Sequence, residues 1–155
     1  TPAEAYPAVL STIIGHQVVA AGVPGEVTAA GLRRLPAAIS RANPKILILC
    51  MGGNDMLQRV DGATVAANLR AMVQLAKQRG VAVALIGVPT PPLFGGAAPD
   101  FAGIAKEFEA PLEADILGAL LYDPSVKSDS IHPNAKGYRR MAEAVADLLR
   151  RAGAI

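Results

Sequence analysis

The sequence predicts a three-layer α/β/α domain built on a parallel sheet, and three observations lead there. Short β-branched runs of strand length alternate with longer segments whose apolar residues recur with the helical period. Each short run is apolar on both alternating faces, which suits strands buried between two helical layers better than a sheet with one wet face. The chain's 155 residues are 52% hydrophobic and 18% charged, the size and composition of one compact domain and not of a disordered chain or a disulfide scaffold.

Taken in order, Thr1-Pro2-Ala3-Glu4 has the form of a capping box, so a helix is expected from residue 1. Tyr6, Val9, Leu10 and Ile13 follow helical spacing and Gly15 is a stop. Strands are expected over residues 17–23, 46–51 and 81–88, with right-handed crossovers between them. Helices are expected over residues 27–42 and 65–79, the second with Val65, Leu69, Met72, Val73 and Ala76 on one face and Gly80 after it. A helix over residues 101–109 places Phe101, Ile104, Ala105 and Phe108 at core spacing behind an Asp100 cap. A short strand is expected over residues 114–117. The last helix, from about Asn134 to Arg151, carries Tyr138, Met141, Ala142, Val145, Leu148 and Leu149 as its apolar stripe, with Arg150 and Arg151 complementing the C-terminal dipole.

Composition narrows the function. The 15 Lys and Arg nearly balance 13 Asp and Glu, and a net charge of +2 is not the basic field that nucleic-acid binding uses. The single cysteine, Cys50, excludes an internal disulfide within these residues and any multi-thiolate metal site; mid-strand, it reads as a small buried hydrophobe. No apolar run approaches the roughly 18 residues of a membrane-spanning helix. His16, at a helix-to-strand junction without an acidic neighbour, reads as a capping or surface residue.

In open α/β sheets ligands bind at the carboxyl edge of the strands. The long Pro- and Gly-rich stretch 89–99 falls there, and so do three short segments. Asp129-Ser130-Ile131-His132-Pro133-Asn134 precedes the last helix; an Asp and a His three apart in a turn let the carboxylate accept from the imidazole, fix its tautomer and leave the other ring nitrogen free as a base. The alternative is a helix-entry turn in which Asp129 bonds local amides and His132 is merely a polar surface group. Met51-Gly52-Gly53-Asn54-Asp55 follows the most apolar strand, where Asn54 presents an amide donor to developing negative charge or serves only the backbone of a turn. Asp55 has the position to bind water or to stiffen the Asn54 loop. In Ala21-Gly22-Val23-Pro24-Gly25-Glu26, a strand turns into a helix, and the Gly25 N–H either points into the same cleft or belongs to a bare turn.

In this order the segments resemble the SGNH or GDSL hydrolase family: Gly52-Gly53-Asn54-Asp55 matches its Gly-x-Asn-Asp block, and Asp129-Ser130-Ile131-His132-Pro133 its Asp-x-x-His-Pro block. Asn134, Gly137, Tyr138 and Met141 look like the helix after the family's histidine, so the likeness spans nearly the whole chain. The spelling Gly-Gly-Asn-Asp, with Gly31-Leu32-Arg33-Arg34-Leu35-Pro36 before it, is most similar to the bacterial branch of acyl-CoA thioesterase I, lysophospholipases and arylesterases. The resemblance implies a flavodoxin-like sheet of order 2-1-3-4-5 and a serine hydrolase of esters or thioesters. It makes His132 the general base, Asp129 its orienting carboxylate, and the Asn54 amide and Gly25 N–H the oxyanion donors. It implies no metal or cofactor. Its substrates would be small esters or thioesters, including those of lipid acyl chains. Leu93 and Phe94, with Phe101, are candidates to line an acyl pocket, core packing being the alternative. The branch is often exported, so a periplasmic or secreted location is expected by resemblance, with the cytoplasm as the alternative.

The family's Gly-Asp-Ser block does not occur in these residues, and the serines available are Ser11, Ser40, Ser125, Ser128 and Ser130. None has the strand-to-helix elbow that a nucleophile of this kind occupies. The nucleophile is therefore expected upstream of Thr1, on a first strand lying between those at 17–23 and 46–51. Without that strand the sheet has a gap, and each buried backbone group left unpaired costs about 1–3 kcal/mol. The 155 residues are thus expected to be a single SGNH-like domain without its N-terminal strand and nucleophile block. A reading of another class is a non-catalytic relative that keeps the fold and binds an acyl or carbohydrate ligand.

Overall fold

The computed structural model describes residues 1–90 and 98–155. In chain order its regular elements are α1 (Tyr6–Ile14), α2 (Thr28–Ala42), β1 (Ile46–Leu49), α3 (Gly53–Leu57), α4 (Gly62–Gln78), β2 (Ala82–Ile86), α5 (Phe101–Phe108), β3 (Leu112–Glu113), α6 (Ile116–Leu121) and α7 (Ala135–Arg151). The described residues divide into two compact units, one of residues 21–114 and one of residues 1–20 with 115–155.

The 21–114 unit holds the sheet. Its strands are parallel in the order β1-β2-β3, with Ile46 opposite Ala82, Leu49 opposite Leu85, and Leu85 opposite Leu112. On one face of β2, Val83 and Leu85 join Val65, Leu69, Met72, Val73 and Ala76 of α4, Leu35 and Ile39 of α2, and Phe101, Ile104 and Ala105 of α5 in one core. Leu69 is fully buried, which contributes about 1.5–3 kcal/mol. Ala84 and Ile86, on the opposite face of the strand, are buried as well. A run apolar at every position is what a strand covered on both faces requires. Asp61 and Asp100 cap α4 and α5 by accepting from the N–H groups of Thr64 and Gly103, the second as expected.

Residues 17–23 depart from expectation: they form no strand, and Val19 and Val23 are half exposed. A strand exists only through its ladder, and this segment has none among the described residues; the carbonyl of Ala21 accepts from the Arg34 guanidinium instead. The strand expected at 114–117 is also displaced. The pairing with β2 comes earlier, at Leu112–Glu113, where Leu85 donates to Pro111 and Gly87 to Glu113, and Ile116 already opens α6.

In the other unit α1 packs along α7. The helix expected from residue 1 is instead a single 3₁₀ turn, Pro2–Glu4, then an extended Ala5, with α1 beginning at Tyr6. Pro7 is the cause, because it lacks the N–H that would bond the carbonyl four residues back. Thr1 still donates its hydroxyl and its N–H to Glu4. Leu10 of α1 and Ala142, Val145 and Ala146 of α7 are fully buried.

Candidate active site

In the unit containing residues 115–155, the segment before α7 folds into a closed loop. Lys127 bridges Pro133, the Ser128 N–H donates to the His132 carbonyl at 2.9 Å, and the Asn134 N–H to the Val126 carbonyl at 2.8 Å. Asn134 locks the base of this loop, its amide nitrogen donating to the carbonyls of Ser125 and Lys127 while its oxygen caps α7 by accepting from the Gly137 N–H at 3.0 Å. Gly137 permits the close approach, since a Cβ there would stand 2.3 Å from the Val126 carbonyl oxygen.

This loop presents Asp129 and His132. One carboxylate oxygen of Asp129 accepts from the backbone N–H groups of Ile131 and His132, each at 2.8 Å, and the other meets His132 Nδ1 at 2.8 Å. The His132 and Ile131 amides, then the imidazole, hold the Asp129 carboxyl down at about 2. A carboxylate that only accepts requires Nδ1 to carry the hydrogen, which leaves the Nε2 lone pair as a base. Nε2 has no partner among the described residues, and the His132 side chain is 67% exposed. The two sequence alternatives are realised together: Asp129 bonds local amides and also orients the ring.

In the 21–114 unit, Asn54 meets the residue that follows Gly25. Gly52 takes φ +119°, a conformation that side chains resist, and so turns the chain from β1 directly into the short helix α3, which the sequence read as a plain turn. Asn54 lies on that helix and donates one amide hydrogen to the Glu26 carbonyl at 3.1 Å. A primary amide has a second hydrogen to offer. The neighbouring Gly25, at φ +74°, sits in an open turn where its N–H makes no hydrogen bond among the described residues. Arg34 braces this turn from α2, donating to both Glu26 carboxylate oxygens at 2.8 and 2.7 Å and to the Ala21 carbonyl at 2.7 Å. Their mutual hydrogen bonds lower the Glu26 carboxyl and raise the Arg34 guanidinium.

Asp55 is 1% exposed, and its carboxyl group reaches across to the start of α2. Its carboxyl group accepts from the Thr28 N–H at 2.9 and 3.1 Å and from the Thr28 hydroxyl at 2.6 Å, and Asn68 of α4 donates to that hydroxyl at 3.1 Å. Thr28 and Asn68 escaped the sequence reading. One signal was available: Val27 occupies the N-cap of α2 and has no side-chain oxygen, so the first amides of that helix need an acceptor from elsewhere.

The remaining candidates take quieter places. Burial pushes the Cys50 thiol up to about 11, which makes it an inert packing group. His16 is exposed, and its carbonyl accepts from Ser11. Ser40 pairs with Arg79, Ser125 with Asp123 and Ser128 with the His132 carbonyl; among the described residues no serine hydroxyl bonds the His132 ring. At the carboxyl ends of β2 and β3 lies a cleft of about 250 Å³, lined by Val88, Pro89, Pro99, Phe101, Leu112 and Ala114. Phe101 serves both this cleft and the core. Leu93 and Phe94 fall outside the described residues. The structure thus brings Asp129 to His132 within one unit, and Asn54 to the Gly25 turn within the other.

The profile of the GDSL-like Lipase/Acylhydrolase family matches residues 1–140. The chain is 30% identical over 136 residues to Esterase TesA of Pseudomonas aeruginosa, covering 84% of this chain and 68% of that protein. It is 26% identical over 138 residues to an arylesterase of Vibrio mimicus, covering 85% and 69%. Among solved structures, TesA superposes with a TM-score of 0.87 at 27% identity, over 97% of this chain and 90% of that one. AlinE4, described as an SGNH-hydrolase family esterase, gives 0.77 at 27% identity, over 98% and 87%. The chain spans about two thirds of the length of these curated relatives. The mixed α/β fold with its parallel sheet is that of SGNH hydrolases. On the family match and the TesA relationship together, the chain belongs to the GDSL-like lipase/acylhydrolase family, a family of hydrolases that includes esterases and thioesterases.

Proposed function

We propose that the protein is a serine hydrolase that cleaves carboxylic esters or thioesters through an acyl-enzyme. The observation that carries this is the Asp129–His132 pair, in which a carboxylate pinned by two backbone amides meets Nδ1 at 2.8 Å and leaves Nε2 as base. His132 takes the proton of the attacking serine and gives it to the leaving alcohol or thiol as the acyl–serine bond forms; it then takes a proton from water, whose oxygen attacks the acyl carbon, and gives it to the serine oxygen as the acyl–serine bond breaks and the acid leaves. Asn54, through its second amide hydrogen, and Gly25, through its N–H, stabilise the oxyanion. The nucleophile is a serine N-terminal to Thr1, carried on a strand of the same single domain, and none of the five serines of these residues. The small-ester chemistry extends to lipid acyl chains held by the cleft beside Phe101, and the site of action is the periplasm or the exterior.

A fluorophosphonate probe on the full-length protein, followed by peptide mapping, tests the proposal. The label is expected on a serine outside residues 1–155. A label on Ser11, Ser40, Ser125, Ser128 or Ser130 overturns the nucleophile assignment. Failure to label a folded protein whose Gly-Asp-Ser block is intact overturns the enzyme and leaves the ligand-binding relative.

A further inference from the structure

The Asp55–Thr28–Asn68 cluster is buried in the 21–114 unit and has no part in the chemistry just assigned. Its placement is informative. Asp55 immediately follows Asn54 on α3, and Thr28 stands three residues after Gly25 as the first residue of α2. Asp55 accepts both the amide and the hydroxyl of Thr28, so it joins the turn that carries the Gly25 N–H to the helix that carries the Asn54 amide. Asn68 fixes the hydroxyl from a third element, donating to the oxygen whose hydrogen points at Asp55. The cluster is fully satisfied, with no buried side-chain polar atom left unpaired among the described residues, and buried networks of this kind rigidify what they connect. The Asn54-to-Glu26 hydrogen bond is the second tether across the same gap. Two tethers fix the separation and the angle between the Gly25 turn and the Asn54 helix, and stabilisation of an oxyanion by donors on the two would depend on that preorganisation.

Resting on the assignment of Gly25 and Asn54 as oxyanion donors, we propose that Asp55, acting through Thr28, is the positioning residue of the oxyanion site. It touches no substrate. Its effect falls on kcat, because donor placement matters most where charge develops and little for ground-state binding.

The test is a set of variants of the full-length protein assayed on a p-nitrophenyl ester, with folding checked by Tm and circular dichroism. Asp55→Asn is expected to lower kcat by about 10- to 100-fold with KM nearly unchanged. Thr28→Val is expected to lower it less, and Thr28→Ser, which keeps the hydroxyl, to restore it. In an Asn54→Ala background the further loss from Asp55→Asn is expected to shrink to less than about threefold, because the donor it positions is gone. Asp55→Asn or Thr28→Val at parental kcat, Thr28→Ser as poor as Thr28→Val, or a loss that multiplies fully onto Asn54→Ala would each overturn the positioning role while leaving the oxyanion assignment intact. Parental activity of Asn54→Ala itself overturns that assignment and the positioning role with it. Should Asp55→Asn fail to fold, the Thr28→Val and Thr28→Ser pair decides by the same criteria.

Discussion

Asp129 and His132 stand three residues apart in a loop where both side chains are more than half exposed, whereas Thr28 and Asp55 stand 27 residues apart and are almost completely buried. The first contact is made by the chain on itself. Two backbone amides of the same turn hold the carboxylate, and Asn134 with Gly137 hold the turn against α7. The second contact exists only when α2, α3 and α4 have assembled. An exposed ion pair contributes little to stability, typically under about 1 kcal/mol, so the His132 loop is organised for geometry. A buried polar cluster is costly to disturb, so the Asn54 turn carries stability and geometry together. On the roles proposed for them, the base is placed by local turn chemistry and the oxyanion donors are anchored in the interior.

The largest expected effect tests the exposed side. His132→Ala should lower kcat/KM for a p-nitrophenyl ester by more than about 10³-fold while leaving Tm nearly unchanged; a marked fall in Tm would show that the loop is structural after all. Next, Asn54→Ala should cost about 10²- to 10³-fold in kcat. Turnover equal to the parent's would remove Asn54 from the oxyanion site. Gly137→Ala forces a Cβ to 2.3 Å from the Val126 carbonyl oxygen and should destabilise by about 1–3 kcal/mol in denaturant titrations, which would show how far the exposed loop depends on the packing beneath it. The smallest effect is acid titration. Asp129 is held at about 2, below the ~3.9 of an unfolded chain. What its contacts contribute is therefore complete above about pH 4 and is lost as pH falls toward 2. Its carboxyl chemical shift should show a midpoint near 2; one near the ordinary value would mean that the loop amides do not hold it in solution.

Legibility followed the range of the interactions. Core helices were readable from the period of their apolar residues: Val65, Leu69, Met72, Val73 and Ala76 are the buried face of α4, and Asp100 caps α5 as its position suggested. The Asp-x-x-His spacing was equally readable, since three residues are one turn. Two features were misread and one was missed, all for the same reason. Residues 17–23 have strand composition, but a strand needs a neighbour's ladder and they have none among the described residues; Leu112–Glu113 pair because β2 offers them a partner, while residues 116 and 117 go to a helix. Thr28 is an unremarkable helix residue until Asp55 reaches it.

The amino-acid sequence by itself determined the alternation of strands and helices, the buried faces, the caps and the Asp129–His132 turn, because each depends on residues within a few positions of one another. Tertiary structure alone decided which β-branched runs become strands and how the Gly25 turn is bound to the Asn54 helix. The strands depend on ladder partners 27 to 36 residues away and the turn on hydrogen-bond partners 27 and 28 residues away, and such partners come within reach only when the chain has closed the loops between them and excluded water from the contact.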